Sequence, residues 1–399
     1  MALRIGPGAM VAAAFIGPGT VTTASVAGAS SGIALLWAVA FSVFATLTLQ
    51  ELSLRTALAT QKDLATLVRD LGRGAWWGSL LVLLVILAIG GGNAAYQSGN
   101  LSGAGIGLSA ALPIDFAQVV VVAAALAGLL ILFDRYRWLE RLLVLLVALM
   151  AVLFSGLALL LLPLLLAQSP ERLVPTFSSD YLTTALALIG TTVVPYNLFL
   201  HATAVRRRWS GESVETALRG ARQESMLAIL IGGGITCAIM VVASALLSPE
   251  AEAGVLPALM AAIDRHFPGG GTLAVGFGLF AAGLSSAIAA PVAAGWAVCG
   301  ALGWSTDPGS RGFKAVALAV LLAGTLFAVV TSRPTVLIVT AQVTNALLLP
   351  VIALVLVVLA NSRLMPQPFR NGRTGNLLAL AVLAIVLLLA LTKLAKLLA

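Results

Sequence analysis

Two short interruptions, Gly17-Pro18-Gly19-Thr20 and Val194-Pro195-Tyr196-Asn197, carry most of the chemistry this sequence can offer. Each sits inside an apolar run, 10–29 and 182–204, long enough to enter a membrane. Proline has no N–H with which to continue a helical ladder. Glycine gives up helix propensity for backbone freedom. Each run is therefore expected to be two half-helices joined by an unwound link. Inside lipid, bare backbone is tolerated only where it lines a cavity within the protein. Taken alone, either run also reads as an ordinary kinked membrane helix. Two breaks, one near the start and one half-way along, point instead to a central solute site between them.

The groups available there are neutral. They are the hydroxyls of Thr20, Thr22 and Tyr196, the amides of Asn93, Asn197 and Gln342, and free backbone at the breaks. Transition-metal sites use carboxylate, imidazole or sulfur ligands, and none falls on Gly17, Thr20, Val194 or Tyr196. A dication buried without countercharge is strongly disfavoured. Half-helix N-termini present unpaired N–H groups and partial positive charge. The electrostatic expectation is thus a small anion or neutral polar solute, bound by Gly17, Thr20, Val194, Tyr196, Asn197, Asn93 and Gln342, with no metal-ligand set and no cofactor. The alternative is a hydrated hard ion, magnesium or manganese, held weakly by carbonyls and hydroxyls.

Structural roles compete at each position. Thr22 and Thr23 are expected to bond back to their own helix. Asn93, beside Gly90-Gly91-Gly92, also suits close helix packing, and Gln342 and Asn345 suit interhelical hydrogen bonds. Tyr196 also suits the wall of the core. Tyr96, His201 and Glu51 are candidates for coupling or for lining the pathway. Glu51 is an acid placed inside a span, but Arg55 four residues on makes an ion pair the simpler reading. His201 either lines an inner water path or caps its half-helix. Arg206-Arg207-Arg208 is expected to anchor on anionic headgroups.

The elements that position these residues follow from composition. Of 399 residues, 60% are hydrophobic and only 10% charged, whereas soluble domains carry about 25% charged residues. Long apolar runs mark an all-α integral membrane protein. Eleven spans are expected, near 6–29, 33–58, 76–99, 117–133, 140–167, 182–205, 223–247, 272–301, 314–331, 335–361 and 375–398. The first run carries no cleavage-site pattern and is expected to stay as an uncleaved helix. Placing the N-terminus in the cytoplasm leaves only Arg172, Arg265, Arg333, Lys393 and Lys396 of the 23 Lys and Arg on the outer side, as positive charge prefers. The C-terminus then lies outside, and a bacterial inner membrane is the expected location. The net charge of +8 therefore reflects topology rather than nucleic-acid binding. Spans 1–5 and 6–10 take opposite orientations, each block opening on a broken helix. That is a single transmembrane domain with an inverted repeat, 1–168 and 176–361, and an additional helix at 375–398. Cys237 and Cys299 lie in apolar runs as core residues rather than a disulfide. Neither a nucleotide-binding loop nor a catalytic cluster is seen, so ATP hydrolysis and enzymatic function are not expected. A receptor without transport would leave two costly breaks unexplained. The partners expected are a small solute or ion and the bilayer, with a monomer plausible.

Several segments, taken in order, resemble the Nramp family of divalent metal transporters. They are Gly6-Pro7-Gly8 leading into Gly17-Pro18-Gly19-Thr20, Leu35-Leu36-Trp37, Gln50-Glu51-Leu52-Ser53-Leu54-Arg55, Arg137-Trp138-Leu139-Glu140, Pro195-Tyr196-Asn197-Leu198-Phe199-Leu200-His201 and Gly283-Leu284-Ser285-Ser286. The resemblance runs from about residue 6 to about 360 and implies a leucine-transporter-like fold with a 5+5 inverted repeat and alternating access. The departures fall on the site. The family's first break reads Asp-Pro-Gly-Asn, against Gly17 and Thr20 at its ends here. Its second reads Met-Pro-His, against Val194-Pro195-Tyr196. Its third-helix acidic pair becomes Asn93 and Tyr96, so proton movement by that route is expected to be lost, while its histidine is kept as His201.

Overall fold

The computed structural model describes residues 16–133, 137–166, 174–176 and 178–398. The first part of span 1, with Gly6-Pro7-Gly8, lies outside the described residues. α1 (Pro18–Ser31) is followed by α2 (Leu36–Thr60), α3 (Leu64–Gly72), α4 (Gly78–Ala111), α5 (Phe116–Phe133) and α6 (Arg137–Leu166). The second half runs α7 (Ser179–Thr192), α8 (Pro195–Arg208), α9 (Val214–Leu246), α10 (Val255–Asp264), α11 (Gly270–Leu302), α12 (Arg311–Val330) and α13 (Pro334–Asn361), before a final α14 (Arg373–Leu398). No strand occurs among the described residues. Ten segments there are long and apolar enough to cross a membrane, α7 and α8 counting as one. α1, 14 residues long, continues the run expected as span 1.

Burial sorts these helices. The α7–α8 segment is the most enclosed, 89% of its apolar window being inside the protein, whereas α14 is the least, at 22%. The broken helix is therefore the centre of the bundle and α14 a peripheral addition. Leucines and valines on α5, α6, α12 and α14 point outward, as a bilayer-facing surface requires. α4 and α11 form the most extensive helix pair. Their approach depends on small residues: a Cβ on Gly107 would lie 2.5 Å from the Gly276 carbonyl oxygen, and one on Gly283 2.6 Å from that of Asn100.

The helix ends explain where sequence and structure differ. α4 runs to Ala111, past the expected end at 99, because Ser98, Gly99, Asn100 and Ser102 are buried between helices. Small polar residues there lower hydropathy without marking a surface. α9 starts at Val214 rather than 223, and Ser213 accepts a hydrogen bond from the Thr216 N–H at its N-terminus. α3 and α10 were not expected, being short amphipathic and apolar helices between spans. Asp264, ending α10, accepts hydrogen bonds from the Gly271 and Thr272 N–H groups and the Thr272 hydroxyl, capping α11. These bonds, the Thr272 hydroxyl foremost, hold the Asp264 carboxyl below its ordinary pKa.

Candidate functional site

α1 and α8 begin alike. Gly17, extended at φ −77° and ψ 168°, precedes α1, whose first residue is Pro18. After Thr192 the chain leaves the helix at Val193 (φ −98°, ψ 76°) and Val194 (φ −85°, ψ 121°), then re-enters at Pro195. Proline suits the first helical position, where an N–H would be unpaired anyway. The same residue frees an acceptor: Pro195 has no N–H to offer the Thr191 carbonyl four residues earlier.

The two breaks meet. The Thr20 and Thr191 hydroxyls are 3.1 Å apart, although 171 residues separate them in sequence. Gly19 packs beside Thr191 and the Gln342 side chain of α13; a Cβ there would fall 2.7 Å from Gln342 Cδ. Tyr196 stacks at a tilt on Tyr96 of α4, ring centres 5.2 Å apart. Thr20, Tyr196 and Gln342 are each 1% exposed, so this is an occluded arrangement. Gly17 and Val194 flank it as the extended residues, and both are buried. Among the described residues Gln342 Oε1 has no hydrogen-bond partner, and neither do Asn197 Oδ1, on the first turn of α8, nor the Thr22 and Thr23 hydroxyls on α1. The expectation that Thr22 and Thr23 bond back to their own helix is thus not met. Thr191 was missed by sequence reading; the signal was a polar Thr191-Thr192 pair directly before the second break.

Three candidates lie in other settings. Asn93 donates to the Ala290 carbonyl of α11 at 3.0 Å. One turn on, Gln97 donates to the Ala287 carbonyl at 3.1 Å. Pro291 inside α11 cannot supply that carbonyl with its usual partner, so Gln97 replaces it. A π-helical stretch, Ile86–Gly91, ends two residues before Asn93. The Asn93 amide is therefore tied to α11, the packing role weighed for it. Glu51 pairs with Arg55 at 3.1 Å and with Arg222 of α9, while Arg55 also donates to the Phe369 carbonyl and Asn371. His201 is buried and shares a hydrogen bond with Ser225 of α9. It does not cap α8, which continues to Arg208. The arginine triplet is likewise engaged by protein: Arg206 pairs with Asp63 at 2.9 Å, Arg208 with Glu224 at 3.3 Å, and Arg207 lies 4.9 Å over the Trp296 ring. Arg207 and Arg208 remain exposed beside these contacts. Cys237 and Cys299 are free.

Chemically, the breaks offer oxygens more than donors. Proline at the start of both α1 and α8 removes an N–H from each N-terminus, and the Asn197 N–H is spent on the Val194 carbonyl at 3.0 Å. The donor array expected to hold an anion is thinner than the sequence suggested. Among the described residues no cluster of His, Cys, Asp or Glu could hold a metal ion.

Residues 8–396 match the sequence model of the Nramp family, described as natural resistance-associated macrophage protein-like. The divalent metal cation transporter MntH 1 of Pseudomonas aeruginosa is 30% identical over 310 residues, covering 73% of this chain and 68% of that protein. The divalent metal cation transporter MntH of Brucella suis is 31% identical over 264 residues, 63% of this chain and 56% of that one. A crystal structure of a mutant manganese transporter from Eremococcus coleocola has TM-score 0.78 at 22% identity, covering 98% of this chain and 86% of that chain. MhsT in complex with L-phenylalanine has TM-score 0.63 at 18% identity, covering 99% and 98%. These two show the fold, that of the leucine-transporter-like proteins with a 5+5 inverted repeat. The two sequence relatives are named for divalent metal cations, so the expectation of an anionic or neutral solute finds no support in them. With the family's sequence pattern running through nearly the whole chain and its fold in the helices, this protein belongs to the Nramp family of integral membrane transporters, which are not enzymes.

Proposed function

We propose that the chain moves a divalent cation by alternating access, through a neutral, weakly coordinating site suited to a partly hydrated hard ion such as magnesium or manganese. The observation that carries this reading is the meeting of the two breaks at Thr20 and Thr191, with the Gln342 side chain packed beside them and its amide oxygen, like that of Asn197, uncommitted. Neutral oxygens that keep some of the ion's own water are the chemistry of magnesium and, less strictly, manganese sites. The names of the similar relatives, divalent metal cation transporters, support the same class. Gly17, Thr20, Val194, Tyr196, Asn197 and Gln342, with Thr191 added, form the proposed site. Asn93 serves it by fixing α4, and Tyr96, His201 and Glu51 border the pathway. The molecule acts as one membrane domain and as a monomer, with repeats 1–168 and 176–361 and the added helix 375–398. It sits in a bacterial inner membrane with its N-terminus in the cytoplasm and C-terminus outside, the orientation its basic residues favour.

The test is uptake into proteoliposomes of magnesium and manganese alongside small anions and neutral polar solutes. Cation uptake that falls at least about tenfold in Thr20→Val, the loss expected for about 1.4 kcal/mol of lost ion–oxygen interaction, supports the reading. Uptake confined to anions or neutral solutes overturns it.

A further inference from the structure

At the end of the bundle that carries the Arg206–Asp63 pair, the turn between α3 and α4 and the end of α11 line an open cavity of about 650 Å³. Arg69, Gly72, Arg73, Gly78, Ser79 and Leu302 line it. Its shape is built in: a Cβ on Gly72 would lie 2.5 Å from Gly78 Cα, so only glycines let the turn close this tightly. Its charge is also distinctive. Arg55, Arg206, Arg208 and Arg222 at this end each pair with an acid. The Arg73 side chain has no hydrogen bond or ion pair among the described residues, its backbone N–H alone being spent on the Asp70 carbonyl. Arg69 stands 3.9 Å from Asp70, whose carboxylate is held by Lys62 at 2.7 Å. Two guanidinium groups with donors to spare thus face one cavity, beside the positive end of the 34-residue helix α4.

We propose that this cavity binds the phosphate of an anionic phospholipid headgroup, clasped by Arg69 and Arg73. The bilayer is the source because of what adjoins the cavity. Trp76, in the same turn, is 90% exposed, as a ring at headgroup depth would be. From it, Leu80, Leu83, Leu84 and Leu87 continue along α4 as an exposed apolar face for acyl chains. Guanidinium–phosphate pairing supplies the headgroup contact and this leucine face the tail contact, which a soluble phosphate could not use.

The test uses full-length protein, delipidated in detergent, with its melting temperature followed as phosphatidylglycerol, phosphatidylcholine or inorganic phosphate is added. Phosphatidylglycerol is expected to raise the melting temperature. Phosphatidylcholine and inorganic phosphate are expected to leave it in place. Removing each arginine, as Arg73→Gln or Arg69→Gln/Arg73→Gln, should cost about fivefold in preference for phosphatidylglycerol over phosphatidylcholine. Arg219→Gln, an exposed arginine away from the cavity, should keep the preference. Equal responses to the two lipids, or an undiminished preference in Arg73→Gln, overturn the proposal, and a rise with inorganic phosphate assigns the site to a soluble anion instead. If the double variant does not fold, quenching of Trp76 fluorescence by brominated lipids, read as wild type against Trp76→Phe, replaces it. Stronger quenching by the brominated anionic lipid supports the site, and equal quenching refutes it.

Discussion

At the residue scale, the site is a set of neutral oxygens whose strength can be changed one atom at a time. Gly17 occupies the N-cap position of α1, where aspartate is a favoured residue because its carboxylate accepts from the first N–H groups. Gly17→Asp should therefore fold, and the added charge should tighten divalent-ion binding, read as a lower dissociation constant by calorimetry. Unchanged binding would show that the ion passes elsewhere. Gly19→Ala makes the complementary point. The new methyl group would displace the Gln342 side chain and crowd Thr191, 3.1 Å away, so uptake should fall while the protein still folds. The breaks and most of the residues around them were legible in sequence, since Pro18 and Pro195 announce themselves inside apolar runs. Which way the site leaned was less legible. Prolines that begin half-helices remove donors as well as break ladders, and the orphaned oxygens of Asn197 and Gln342 depend on packing partners far away in sequence.

At the element scale, α4 and α11 are joined where a proline and two amides coincide. Asn93 could be placed on a packing face from its glycine neighbours. Its partner, the Ala290 carbonyl, could not, because it lies 197 residues away, and the Ala287 carbonyl that accepts from Gln97 one turn on is freed only by Pro291. Gln97→Leu should leave the Ala287 carbonyl buried and unpaired, at a cost of about 1–3 kcal/mol, read as a lower melting temperature. In a Pro291→Ala background the helix can supply that carbonyl itself, so the same substitution should cost less. Equal costs in both backgrounds would contradict the account. The cap on α11 gives a pH test. The Asp264 carboxyl is held below its ordinary value, chiefly by the Thr272 hydroxyl, so it stabilises the fold at neutral pH and loses that effect as pH falls through the lowered folded-state value. Asp264→Ala should lower the melting temperature at pH 7, and the gap from wild type should narrow below about pH 4. A gap independent of pH would assign the loss to packing.

At the scale of the whole molecule, the occluded centre is closed at both ends by polar contacts between the repeats. Trp37 donates to the Tyr181 hydroxyl at 2.8 Å, which donates in turn to the Ala34 carbonyl, binding α2 to α7. At the other end, Glu51, Arg55, Arg222, Asp63 and Arg206 bind α2, α8, α9 and the 369–371 segment. Alternating access requires that one set loosens while the other holds. The ordered family segments made this architecture readable from sequence; the lattice at the ends was not, because charges between spans follow topology and their pairing follows only from folding. What separates this account from the electrostatic reading of the sequence is the sign of the charge that crosses. The direct measurement is the current from proteoliposomes on a solid-supported membrane after a jump in manganese or magnesium concentration. The account predicts a transient current carrying positive charge into the vesicles, strongly reduced in Thr20→Val. No current on a divalent-ion jump, with uptake of a small anion or neutral solute by the same vesicles, would contradict it.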